Sequence, residues 1–183
     1  MSMPALTIEL PSHAERTQFN LRRWAELLDD PELARIEGRI ETDRHGQIIM
    51  SPPPGPSHGS YQAEISFLLR KLMKTGRTLT ECPISTADGV RAADVAWASP
   101  ACMKSLGNHG CFPEAPEICV EVLSPRNTKS EIEEKKALYF EAGAQEFWIC
   151  DANGKITFHH RGTTQPQNKS KLCPTFPPKV VLS

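Results

Sequence analysis

The sequence lacks the features that would classify it quickly. It has six cysteines, at positions 82, 102, 111, 119, 150 and 173, but no C-x-x-C pair. A zinc ribbon or thioredoxin-like motif is therefore not written in it. No apolar run approaches the roughly 18 residues that span a bilayer, so no membrane helix is expected. No secretory leader pattern stands at the N-terminus, and a reducing, cytoplasmic setting is the expectation. Charge of one sign is missing too: 21 Lys and Arg oppose 22 Asp and Glu, for a formal net charge of -1. That excludes a chain-wide basic footprint for nucleic acid. A nucleic-acid site would have to be a local basic groove, or use metal ions to neutralise phosphate. There is no internal repeat and no low-complexity tract.

What is present suits one soluble domain of 183 residues, 39% hydrophobic and 23% charged. That length buries a core without disulfides or structural metal. The expected division is a loose arm over 1–19, a domain over 20–162 and an irregular extension over 163–183. The extension holds four of the 16 prolines, and a short strand at Lys179–Ser183 could close it.

Asn20 reads as an N-cap, with Leu21, Trp24, Leu27 and Leu28 following at helical spacing. Residues 34–52 read as two short strands around a turn at Asp43–Gly46. After the rigid Pro-rich loop, Ser57 can cap a helix striped by Tyr61, Ile65, Leu68, Leu69 and Leu72. Two strands meet at the turn Ala87–Gly89, and residues 98–116 read as loop. The run Glu117–Ser124 is the most strand-like in the chain. Ser130 with Glu133 reads as a capping box for a helix ending at Gly143. A last hairpin turns at Ala152–Gly154. This order predicts a mixed sheet flanked by helices.

Two acids sit inside apolar strands: Asp94 in "AADVAW" and Glu121 in "CVEVL". A charge in a buried strand is costly unless something pairs with it. The 27 positions between them allow neighbouring strands. Two adjacent carboxylates repel unless a cation lies between them, and oxygen ligands suit Mg²⁺ or Mn²⁺. The following helix offers two amines. Lys135 shares a stripe with Ile132, Tyr139 and Ala142, and Lys136 one with Ile132, Phe140 and Gly143. Periodicity does not choose between them. Either ammonium could orient an attacking water and offset charge developing on phosphorus.

These blocks, together with "RIEGRI", "IIMSPPPGPSHGSYQAEISFLLRKL" and "EEKKALYFEAGAQEFWICD", resemble the Uma2 family. It is also known as the domain-of-unknown-function 820 family, a branch of the PD-(D/E)XK nuclease superfamily. The resemblance runs from about Asn20 to Asp151. It implies an α/β, restriction-endonuclease-like fold with a central mixed β-sheet. It implies a Mg²⁺- or Mn²⁺-dependent endonuclease acting on DNA, with Asp94, Glu121 and the Val122 backbone carbonyl holding the metal. The position two after the glutamate is Leu123, so the resemblance implies the displaced Lys135 as the catalytic lysine. It also implies Glu64 on the first core helix as the acid that completes the site, and His58 matches a histidine common in the family. Alanine stands at 93, where the family usually has proline. A domain of this size covers little DNA, so a homodimer is expected.

The plainer readings of the same residues are structural. Glu121 with Lys135 could be a buried ion pair in a catalytically inactive nucleic-acid-binding or structural module. Asp94 could be a strand-end acid and Glu64 an exposed helix acid. The basic run Arg70, Lys71, Lys74 and Arg77 reads first as a solvated face, with contact to a phosphate backbone as the alternative. Cys102, His109 and Cys111 lack a fourth ligand for zinc.

Overall fold

The computed structural model describes residues 10–182. Of the arm expected over residues 1–19, residues 1–9 lie outside them. Its described part is helical: α1 spans His13–Leu28. Its cap is Ser12, whose hydroxyl accepts from the Glu15 amide while the Glu15 carboxylate accepts from the Ser12 amide. Asn20 is therefore not a cap. It is buried within α1 and donates to Ser85 Oγ and the Thr86 carbonyl, both at 2.9 Å, tying α1 to the sheet.

Two short strands, β1 (Arg39–Thr42) and β2 (Ile48–Ser51), pair antiparallel as a separate small sheet. Helix α2 (Pro56–Leu72) follows. It starts at Pro56, whose fixed φ and missing amide suit a first helical position; no side chain caps it, Ser57 included. Strands β3 (Arg77–Thr86) and β4 (Gly89–Ala98) form a long antiparallel pair. Helix α3 (Pro100–Leu106) lies where loop was expected, with Ser99 accepting from the Cys102 amide as its cap. Strand β5 (Ile118–Val122) leads to helix α4 (Lys129–Glu141), and the hairpin β6 (Glu146–Cys150) and β7 (Ile156–His160) completes the sheet. The capping box of α4 is Thr128 with Glu131, two residues before the expected pair.

The main sheet runs β3-β4-β5-β6-β7, with β5 and β6 parallel and the other neighbours antiparallel. The fold is thus α/β, with a five-stranded mixed sheet and four α-helices among the described residues. Alternation along β5 divides the core. Ile118, Val120 and Val122 face α2, packing with Ile65, Leu69, Val95 and Trp148. Cys119 faces the other way, with Ile132 and Tyr139 of α4. Glu121 shares that second face by register.

The C-terminal extension is irregular in path but belongs to the core. Cys173, Phe176 and Val180 join the α2-side cluster, and Phe176 lies 4.7 Å from the Trp148 ring. The expected closing strand is reduced to one paired position, Lys155 with Lys179. No described helix is long and apolar enough to cross a membrane.

Candidate active site

Strands β4 and β5 pair only through Val95–Val120, Ala96–Cys119 and Trp97–Ile118. The next step of that register would set Asp94 opposite Glu121, at the point where the two strands part. There the Val122 amide, freed from the ladder, donates to the Asp94 carboxylate (Oδ2) at 2.7 Å. Both acids are buried, at 1% and 3% exposure.

Each acid carries its own partners. Asp94 Oδ2 also meets His58 Nε2 at 3.1 Å, and Asp94 Oδ1 accepts from the Arg39 guanidinium. Burial works against the Asp94 charge, but the His58 hydrogen bond and then Arg39 hold its carboxyl down at about 2. Glu121 Oε2 accepts from Lys135 Nζ at 2.9 Å, and Oε1 from the Tyr139 hydroxyl at 3.2 Å. Burial pushes Glu121 up to about 7; Lys135 opposes that push and Asp94 adds to it. Burial also opposes the Lys135 charge, yet Glu121 and Glu41 keep its ammonium above the usual lysine range. Hydrogen bonding to Asp94 raises His58.

The structure therefore brings Asp94, Glu121, Lys135 and His58 together at the floor of one cleft of about 830 Å³, which the Val122 backbone also lines. It chooses between the lysines: Lys136 pairs with Glu133 instead. It does not bring Glu64 there. Gln62, one helical step nearer His58, points into the network, and a residue two positions further on lies about 200° around the helix. Glu64 is partly exposed and does not line the cleft.

Four site groups were not read from sequence. Arg39 and Glu41 come from β1, which crosses β4 beyond the end of β5. Glu41 Oε1 accepts from the Ala92 amide at 2.7 Å, and Thr42 Oγ1 from the Val90 amide at 2.9 Å, so β1 side chains replace the missing strand. Glu41 also lies 3.9 Å from Lys135 Nζ. Glu81 pairs with Arg39 at 2.6 Å. Gln62 Nε2 donates to Glu81 at 2.7 Å and to the Asp94 carbonyl at 2.8 Å. β1 reads Arg-Ile-Glu-Thr, too short and too polar for its pattern to mark Arg39 and Glu41 as site residues.

The donor set fits a hard divalent ion of one kind. Among the described residues no three His, Cys, Asp or Glu side chains are grouped to hold a metal. A fully protein-caged ion, zinc included, is not supported. Mg²⁺ commonly takes one or two carboxylates and keeps its remaining waters for substrate oxygens, and two buried carboxylates are what the cleft floor offers. The cleft is lined by six carboxylates (Glu41, Glu81, Asp94, Glu121, Glu131, Glu134) and four cations (Arg39, Arg91, Arg126, Lys135), so its net charge near neutrality depends on Glu121, pushed up to about 7, and on His58, which is raised.

Residues 24–183 match the Uma2 family, described as "Putative restriction endonuclease". The chain belongs to the Uma2 family. No curated protein matches it. Among solved structures it is similar to the crystal structure of "a putative nuclease belonging to DUF820" from Anabaena variabilis, with 19% sequence identity and a TM-score of 0.61. The match covers 74% of this chain and 80% of that one. At that identity the likeness speaks to the fold, and it agrees with the mixed sheet of this Uma2 protein. The Uma2 match takes in residues 163–183, the segment whose Cys173, Phe176 and Val180 join the core.

Proposed function

We propose that this Uma2 protein hydrolyses phosphodiester bonds in DNA with a divalent metal, working as a homodimer that addresses two strands. The observation that carries the reading is the convergence of Asp94 and Glu121 from neighbouring strands, with Lys135 Nζ 2.9 Å from Glu121. Asp94 and Glu121, with the Val122 carbonyl, would hold Mg²⁺ or Mn²⁺. Such an ion supplies Lewis-acid polarisation of phosphate and a bound water of lowered pKa.

The chain's own groups do the rest. Tyr139 and Lys135 fix the Glu121 carboxylate by one hydrogen bond to each oxygen. His58 and the Val122 amide fix Asp94. Lys135, partly exposed at the cleft, has donors left over to orient a water and to offset charge on a phosphate oxygen. Arg91 and Arg126 line the same cleft and suit backbone phosphates.

One observation favours a second reading. Asp94 already carries an internal cation, Arg39. A catalytically inactive, nucleic-acid-binding module would keep Arg39–Asp94 and Glu121–Lys135 as structural pairs. Nicking of supercoiled plasmid in Mg²⁺ or Mn²⁺ separates the two. The nuclease reading expects wild-type nicking that chelator stops and that Asp94→Asn, Glu121→Gln and Lys135→Met each abolish. Nicking that survives Asp94→Asn and Glu121→Gln would remove the assignment from these residues. DNA binding with no nicking in either metal would favour the second reading.

A further inference from the structure

Arg39 occupies the site in a way that the hydrolytic reading leaves unexplained. Its guanidinium forks between two carboxylates: Nη2 reaches Asp94 Oδ1 and Nε reaches Glu81 Oε2 at 2.6 Å. The two acceptors differ in depth. The Asp94 side chain is 2% exposed, the Glu81 side chain 41% and Arg39 itself 17%. One arm of the fork is therefore buried at the cleft floor and the other reaches its open edge.

Asp94 has little room for another partner. A carboxylate offers about four lone-pair directions. The Val122 amide and His58 take two at Oδ2. Both are held in place, one by the end of β5 and the other by the first turn of α2. Oδ1 carries Arg39. A divalent ion on Asp94 would meet that guanidinium as a like charge at close range, and like charges repel strongly there. Of the three partners, Arg39 alone is paired with a second carboxylate, that of Glu81.

Glu81 is built to be that second anion. It has φ +49°, the only positive value among the described non-glycine residues. Such a conformation costs free energy and persists where the surroundings impose it. Thr80 and Cys82 on either side stay paired with β4, while Glu81 itself does not pair. Gln62 donates to Glu81 and to the Asp94 carbonyl, supporting both ends of the distortion. Arg39 and Glu81 also line a second cleft of about 630 Å³, with Gln62 and Trp24. There is thus open space on the far side of Glu81 for a guanidinium to occupy.

We propose that Arg39 is a built-in counter-cation that closes the ion position at Asp94, and that Glu81 retains its guanidinium when a divalent ion binds. The inference rests on the ion-dependent reading above and adds a residue that sets how readily the ion is admitted. Arg39 acts through Asp94 and is a positioning residue. Its removal should improve ion binding, whereas removing a merely structural partner should not.

The test is direct Mn²⁺ binding to the full chain, followed by electron paramagnetic resonance of free Mn²⁺ after the protein has been stripped with chelator. Arg39→Gln is expected to bind Mn²⁺ about tenfold tighter than wild type. Glu81→Gln, which removes the outer acceptor, is expected to bind it more weakly. Asp94→Asn placed on Arg39→Gln is expected to abolish the gain. Should Arg39→Gln fail to fold, Arg39→Lys carries the same expectation at smaller size, because one ammonium cannot fork between both acids. If Arg39→Gln and Arg39→Lys bind no tighter than wild type while Asp94→Asn abolishes binding, the inference is overturned and the ion site stands. If no variant binds Mn²⁺, the inference and the ion-dependent reading both fall.

Discussion

Lys135 Nζ lies 2.9 Å from Glu121 Oε2 and 14 residues from it in sequence, a helix reaching back over the strand that precedes it. The pair is mostly buried, with the Glu121 side chain 4% exposed and Lys135 19%. Breaking such a pair leaves a buried charge without compensation. Lys135→Met should cost about 3–5 kcal/mol of unfolding free energy in chelator, read by urea denaturation. Glu121→Gln combined with Lys135→Met should recover a large part of that loss. A double variant as unstable as the single one would show that the ammonium stabilises the fold through other contacts.

Glu146 sets the position of the C-terminal extension. It is 1% exposed and accepts from the Lys171 and Leu172 amides, at 2.7 and 2.9 Å, and from Trp148 Nε1 at 2.7 Å. Glu146→Ala removes the acceptor of one buried donor, Trp148 Nε1, and of two part-buried amides; a buried donor left unsatisfied costs about 1–3 kcal/mol. Limited proteolysis should then cut within residues 163–183 well before the rest of the chain. Unchanged protection of that segment would mean that Phe176 and Cys173 hold it unaided.

Much of this was legible in the sequence, for definite reasons. Asp94 and Glu121 stood out because each is a lone charge inside an apolar run, a local signal. Helical spacing offered Lys135 and Lys136 equally, and only the resemblance to the Uma2 family singled out Lys135. Arg39, Glu41 and Glu81 were not legible. Their positions depend on β1 crossing β4 and on one left-handed residue in β3, and neither leaves a periodic trace. Helix α3 was hidden among Gly and Pro, although Ser99-Pro100 is a cap followed by a first-turn proline. The first helix was placed late because its outer turns present little apolar stripe, while the Ser12–Glu15 box does mark its start. The extension contributes Cys173, Phe176 and Val180 at irregular spacing, so its burial follows from Glu146 and the Trp148 ring, not from pattern.

Acid should reveal Asp88. It accepts from Arg44 Nε at 2.7 Å and from Arg91. Burial opposes its charge, but those two arginines hold its carboxyl below the ordinary value. A depressed folded pKa means that its contribution is present above the unfolded value, about 3.9, and is lost as pH falls through the lower folded value. Asp88→Asn should therefore be less stable than wild type at neutral pH, with the gap closing below about pH 4. Urea midpoints measured across that range check the sign. A gap that widens in acid would contradict it.

The central claim is that Asp94 and Glu121 share one divalent ion. The most direct measurement is a crystal of the protein soaked in Mn²⁺ and examined by anomalous scattering. The expected result is a peak between the two carboxylates at the point where β4 and β5 part, with the Arg39 guanidinium off Asp94 and still on Glu81. A map with no peak there, from crystals in which Asp94 remains paired to Arg39 at saturating Mn²⁺, would contradict the account.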